Sequence, residues 1–215
     1  MTAPELTHQS IVDIPEDRVV ERLLSDPLWR SEWFELYGNP KGVLDRQRVP
    51  LPSGFIGDAD ILLIAPNCPE EAVAFEVKRI KFGTAALRPG GRPNKLHEFE
   101  KAVQQANRLA EVGFWKVYLY AVTVVDAREQ NASIRLATGK NTQSGLSSEL
   151  RSLVASVVTT QGLNERVGLC DLEFTQPIDD APFDVGGRVF RLIRLATGIQ
   201  QSEKLTKWVA GVFSK

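Results

Sequence analysis

Two short stretches that otherwise read as buried carry four charged side chains between them. Asp58-Ala59-Asp60-Ile61-Leu62-Leu63-Ile64 turns apolar after its acids, and Ala72-Val73-Ala74-Phe75-Glu76-Val77-Lys78 is apolar until its last three residues. Runs of this kind predict β-strands. The intervening Ala65-Pro66-Asn67-Cys68-Pro69-Glu70-Glu71 predicts the turn of a hairpin. A carboxylate or ammonium held away from water is costly unless it is paired or bound to metal, so these charges need a reason. Strand alternation puts Asp58 and Asp60 on one face, and likewise Glu76 and Lys78. A pivot near Cys68 sets Asp60 opposite Glu76 and Asp58 opposite Lys78. Directly opposed Cβ atoms lie about 5 Å apart, close enough for Asp60 and Glu76 to share a divalent cation. The other face, Ala59, Ile61 and Leu63 with Val73, Phe75 and Val77, is expected to be wholly apolar and to pack on a helix.

An acid near the start of one strand, followed by Glu-x-Lys in the next, resembles the signature of the PD-(D/E)XK nucleases, the restriction-endonuclease-like superfamily. The matching residues are Asp60, Glu76 and Lys78. The literal Pro-Asp pair is absent, since Ala59 precedes Asp60, and Asp58 is the alternative acid. The resemblance covers residues 16–128. It implies an α/β fold with a central mixed β-sheet, an αβββαβ core flanked by helices. It implies Mg²⁺ or Mn²⁺ held by Asp60, Glu76 and the main-chain carbonyl of Val77, with Asp58 as a further candidate ligand. Lys78 would position and activate the attacking water. Glu21, with Glu32 and Glu35 behind it, is the candidate acid on the N-terminal helix, and Gln105 the supporting residue on the helix after Glu-x-Lys. The implied activity is metal-dependent hydrolysis of phosphodiester bonds, with DNA as the expected substrate and partner.

The triplet alone says little. Charged residues are 25% of this chain, an ordinary share, so chance supplies Glu-x-Lys often. Weight comes from the conjunction of two apolar arms, a turn and a facing acid. Two competing readings stand beside the nuclease. One is a catalytically inactive module of the same fold that binds DNA or a partner protein in a larger assembly. The other is a structural ion pair in an unrelated α/β protein.

With 26 basic and 27 acidic residues the net charge is −1, so any nucleic-acid surface is local rather than global. Arg79 and Lys81 continue the second strand, and Arg88, Arg92 and Lys95 follow in and just after the Gly83 to Asn94 loop. These five are the expected phosphate contacts. His8 and His97 are the only histidines, and neither a Walker loop nor Gly-x-Gly-x-x-Gly is present. That argues against a histidine-rich zinc site and nucleotide binding through those motifs; a carboxylate site for a hard cation needs neither.

In chain order, helices are expected from Pro15 and over Leu28 to Tyr37, whose Trp29, Trp33, Phe34 and Tyr37 read as core. An edge strand is expected over Leu44 to Pro52, and the clearest helix over Leu96 to Val112, with Leu96, Phe99, Val103, Ala106 and Ala110 on one stripe. Trp115 to Val125 is a strand, and a strand–helix–strand order implies parallel pairing. Further on, Ile134 to Leu136 reads as a short strand and Ser147 to Thr160 as a helix. Val167 to Gln176 and Arg188 to Ala196 read as strands, and Gln201 to Phe213 as a closing helix. The length suits a single domain over 1–215, in which 129–215 elaborates the core as a C-terminal α+β extension: more sheet, a specificity element or a dimer or partner surface. Cys68 and Cys170 have no metal spacing, no apolar run reaches the about 18 residues of a membrane span, and the first residues lack a signal-peptide pattern. A reducing cytoplasm is expected.

Overall fold

The computed structural model describes residues 15, 18–25, 30–31, 36–37, 42–82, 96–126, 148–176 and 187–214. Strands β1 (Leu44–Pro50), β2 (Asp58–Ala65), β3 (Cys68–Phe82), β4 (Lys116–Asp126), β5 (Gly168–Gln176) and β6 (Gly187–Arg194) form one sheet in that order. Helices α1 (Val19–Ser25), α2 (Leu96–Val112), α3 (Ser148–Thr160) and α4 (Glu203–Phe213) flank it. The β1–β2, β2–β3 and β5–β6 pairs are antiparallel, and β3–β4 and β4–β5 are parallel. This is the expected α/β class with its αβββαβ order, and β5 and β6 extend the same sheet. Parallel neighbours need a long crossover, which the 17-residue α2 supplies between β3 and β4. β4 has helix-covered sheet on both faces, so its Val117–Val124 stretch is buried throughout, as such strands require.

Two apolar layers result. Phe99, Ala102, Val103, Ala106, Leu109 and Ala110 of α2 pack on one face of the sheet, with Val157 and Val158 of α3 and Leu205 and Val209 of α4. Val19, Val20, Leu23 and Leu24 of α1, with Leu36 and Tyr37, cover the other face over Ile61, Leu63, Val73, Phe75 and Val77. Each large apolar side chain fully buried here contributes about 1.5–3 kcal/mol. Gln201 fixes α4 to the sheet, donating to the Pro69 carbonyl at 2.8 Å and to Thr206 Oγ1 at 3.1 Å.

The hairpin keeps the expected register, with Ile61 opposite Phe75 and Leu63 opposite Val73, but its turn is tighter than expected. Ala65 pairs with Cys68 around Pro66-Asn67, and Asn67 adopts φ 62°. A register shift between Leu63 and Ala65 absorbs the extra residues of β3, so Pro69-Glu70-Glu71 lies in the strand rather than the turn. Ala59 also departs from expectation. It packs with Val49 and Leu62 in the α2 layer, because β2 has left β3 there and stays paired only to β1, Val49 opposite Ala59. Of the Leu28 to Tyr37 helix, residues 30–31 and 36–37 are helical. Trp29, Trp33 and Phe34, the Gly83 to Asn94 loop and the Ile134 to Leu136 strand lie outside the described residues.

Candidate functional site

The β2–β3 ladder stops at Ile61 and Phe75. Beyond that pair the two strands part, and β3 stays paired with β4 all the way to Phe82. The parting opens a cleft of about 380 Å³, lined by Val19 and Val20 of α1, Arg48 of β1, Asp58 and Asp60 of β2, Glu76, Val77, Lys78 and Arg79 of β3, and Gln105 of α2. The expected metal and water-activating residues thus meet in one place. They meet across separating strands rather than within a ladder, which gives the carboxylates room.

Asp60 takes over where the ladder fails. Its Oδ2 accepts a hydrogen bond from the Val77 backbone N–H at 2.7 Å, fixing the Glu76–Val77 peptide, one bond back from the residue whose carbonyl is the expected third ligand. Burial pushes the Asp60 carboxyl up to about 6; the Val77 bond opposes that, the neighbouring Asp58 charge adds to it, and Lys78 and Arg48 pull it down. Desolvation is the largest influence, which is how a recessed acid behaves. Glu76 is deeper still, 4% exposed, whereas Asp58 is exposed at the rim. Lys78 Nζ stands 3.5 Å from Glu98 Oε2 at the start of α2, with both side chains part-buried. Gln105, rather than its exposed neighbour Gln104, faces the cleft.

The remaining expected residues separate. Glu21 is absent from the cleft lining; its carboxylate is 2.6 Å from Arg18 and 3.6 Å from Arg48. Lys81 is part-buried farther along β3. Arg88, Arg92, Lys95, Glu32 and Glu35 lie outside the described residues. Sequence reasoning missed Arg48, which it left as an unremarkable edge-strand residue. Only the β1–β2 register, Gln47 opposite Ile61 and Val49 opposite Ala59, puts Arg48 across from Asp60. Among the described residues no group of three or more His, Cys, Asp and Glu side chains is disposed to hold a metal ion. The expected donor set, Asp60, Glu76 and the Val77 main-chain carbonyl, has only two such side chains, and both line the cleft with Val77.

No protein-family model matches the chain, and no curated protein matches it. Among solved structures it is similar to a Silicibacter pomeroyi protein of unknown function, at 12% identity and a TM-score of 0.41, over 94% of this chain and 86% of that one. It is also similar to Pyrococcus furiosus SfsA, solved in complex with Ca²⁺, at 13% identity and a TM-score of 0.29. That match covers 85% of this chain and spans 62% of SfsA. Among the described residues no helix is long and apolar enough to cross a membrane.

A second cavity, about 370 Å³, lies between α3 and β4–β6, with Ala121, Ala155, Val158, Leu169 and Ile193 among its walls. Its charged residues are tied to neighbours. Arg191 contacts Asp171 Oδ2 at 2.6 Å and Glu173 Oε2 at 2.5 Å, and Thr123 Oγ1 donates to Asp171 Oδ1 at 2.9 Å.

Proposed function

We propose that this chain is a divalent-metal-dependent nuclease that hydrolyses phosphodiester bonds, with DNA as its substrate. The observation that carries the reading is the meeting of Asp60, Glu76, Val77 and Lys78 in one cleft where β2 and β3 part. Two carboxylates and a carbonyl are hard oxygen donors suited to Mg²⁺ or Mn²⁺. Burial makes the ionised form of Asp60 costly, and a divalent cation is the partner that offsets such desolvation. Asp60, Glu76 and the Val77 carbonyl would hold that ion, which when bound supplies positive charge at the phosphate and lowers the pKa of water.

The chain's own residues supply the rest. The Asp60–Val77 hydrogen bond holds the Glu76–Val77 peptide in one orientation. Lys78, kept at the cleft by Glu98, orients the attacking water and stabilises the charge that develops on phosphate oxygens. Gln105 reaches the cleft from α2 and offers an amide to water or phosphate. Arg79 lines the same cleft and is a backbone contact for the substrate.

Plasmid and linear DNA incubated with the purified chain in Mg²⁺, Mn²⁺ or EDTA test this directly. Cleavage is expected with either metal and not with EDTA, and Glu76→Gln and Lys78→Ala should each remove it while the circular dichroism spectrum is retained. Full cleavage by either variant ends the mechanism. Metal-dependent DNA binding without cleavage by the unaltered chain would instead establish the binding-module reading.

A further inference from the structure

We infer that Arg48 is the phosphate-binding residue of the cleft, held in readiness by Glu21 when no substrate is present. The inference rests on the nuclease reading above and adds a residue that the PD-(D/E)XK resemblance does not supply.

Three observations converge on Arg48. First, the β1–β2 register, Gln47 opposite Ile61 and Val49 opposite Ala59, sets Arg48 across from Asp60, next to Ile61 where the β2–β3 ladder opens. Second, Arg48 adopts φ 49° in the middle of β1. A left-handed non-glycine residue inside a strand is strained, and such strain marks functional sites when the surroundings enforce it. The regular pairing on either side, Gln47 with Ile61 and Val49 with Ala59, is what enforces it here. Third, Arg48 lines the cleft while its side chain stays half exposed, so the guanidinium is beside the acids yet accessible to a ligand.

Arg48 holds Glu21 loosely, as one of its interactions. Its guanidinium is 3.6 Å from Glu21 Oε1, a long contact between exposed groups. Exposed pairs of this kind are weak. Glu21 keeps a closer partner in Arg18, at 2.6 Å on its other oxygen, so Arg48 can swing to a phosphate without stranding the Glu21 charge. A planar guanidinium presents a fork that matches two phosphate oxygens. Glu21 thus acts one step back from the chemistry, as the positioning residue for Arg48 rather than as a metal ligand.

The test uses full-length protein in a Lys78→Ala background, which removes cleavage, and a short fluorescein-labelled DNA duplex read by anisotropy in Mn²⁺. Mn²⁺ affinity is measured separately by calorimetry. Arg48→Gly should lower duplex affinity about tenfold and reduce the salt slope by about 1. Its Mn²⁺ affinity should be maintained. Its melting temperature should be at or above that of the parent, since glycine accepts the positive φ without strain. Arg48→Lys should restore part of the affinity, and Glu21→Gln should tighten binding about twofold. Unchanged duplex affinity and salt slope in Arg48→Gly overturn the assignment. So does an equal loss of Mn²⁺ and duplex affinity, which would mean Arg48 only shapes the metal site. If the parent takes up Mn²⁺ but binds no duplex, the nuclease reading falls, and Arg48 with it.

Discussion

The sheet carries two clusters of carboxylates and cations on neighbouring strands, and they are put to opposite uses. At β5–β6 the strands stay paired through Asp171 opposite Arg191 and Glu173 opposite Val189. There Arg191 bridges both acids and Thr123 adds a hydroxyl, so the charged groups are tied to one another in place. At β2–β3 the ladder has ended. Lys78 is drawn to Glu98 on α2, and Asp60 has a backbone N–H as a hydrogen-bond partner and a raised pKa. Continuous pairing closes a charged cluster into structure, whereas parting strands leave it open to a ligand. Perturbed acids in a cleft are candidates for function on these grounds.

The largest effect expected from this contrast is on chemistry. Glu76→Gln should lower Mg²⁺-dependent cleavage by about 10³-fold or more, a loss in the range seen when one charge-stabilising group is removed. Arg191→Met should leave the rate per folded molecule unchanged. A comparable fall in both would show that the clusters are not divided as described.

Next in size is stability. Removing Arg191 leaves Asp171 and the 1% exposed Glu173 without their shared cation, at an expected cost of about 3–5 kcal/mol in urea or thermal unfolding. Asp60→Asn should act in the other direction on metal-free protein. The Asp60 carboxyl is raised from 3.8 to about 6, so the folded chain holds this proton more tightly than the unfolded chain does. Stability from this group is greatest at low pH, falls from about pH 4 to about pH 6, and remains lost at neutral pH. An uncharged amide avoids that loss and should raise neutral-pH stability by about 2–3 kcal/mol. It should also weaken Mn²⁺ binding measured by calorimetry. A destabilised Asp60→Asn protein would mean the carboxylate is structural, like its counterparts at β5.

The smallest effect is a shape in pH. Because Asp60 titrates near 6 in the metal-free cleft, Mn²⁺ affinity should decline as pH falls from 7 to 5, and Glu76→Gln should leave that inflection near 6 in any residual binding. A flat profile across this range would place Asp60 outside the ligand set.

Much of the core was legible in the residues. Hydrophobic runs and turn chemistry are local properties, so the α2 bounds, Leu96–Val112, and the register Ile61 opposite Phe75 follow from a few neighbours each. Gln105 was named through the resemblance, which implies a Gln on the helix after Glu-x-Lys; helical spacing alone did not separate it from Gln104. Arg48 was not legible, because nothing within β1 distinguishes it from Arg46. Its position is set by pairing to β2 and its conformation by the strand geometry around it. The place of Ala59 in the α2 layer was hidden for the same reason: alternation along a strand predicts faces only while the ladder lasts.

The sequence by itself determined that two apolar strands would carry acids and an ammonium at one end, because composition and period are written in the chain. Tertiary structure alone decided that β2 leaves β3 just past Ile61, that Glu21 pairs with arginines, and that Arg191 closes the other cluster. Those outcomes depend on which strand each segment pairs with and where that pairing stops, and both are balances of long-range packing that no local stretch encodes.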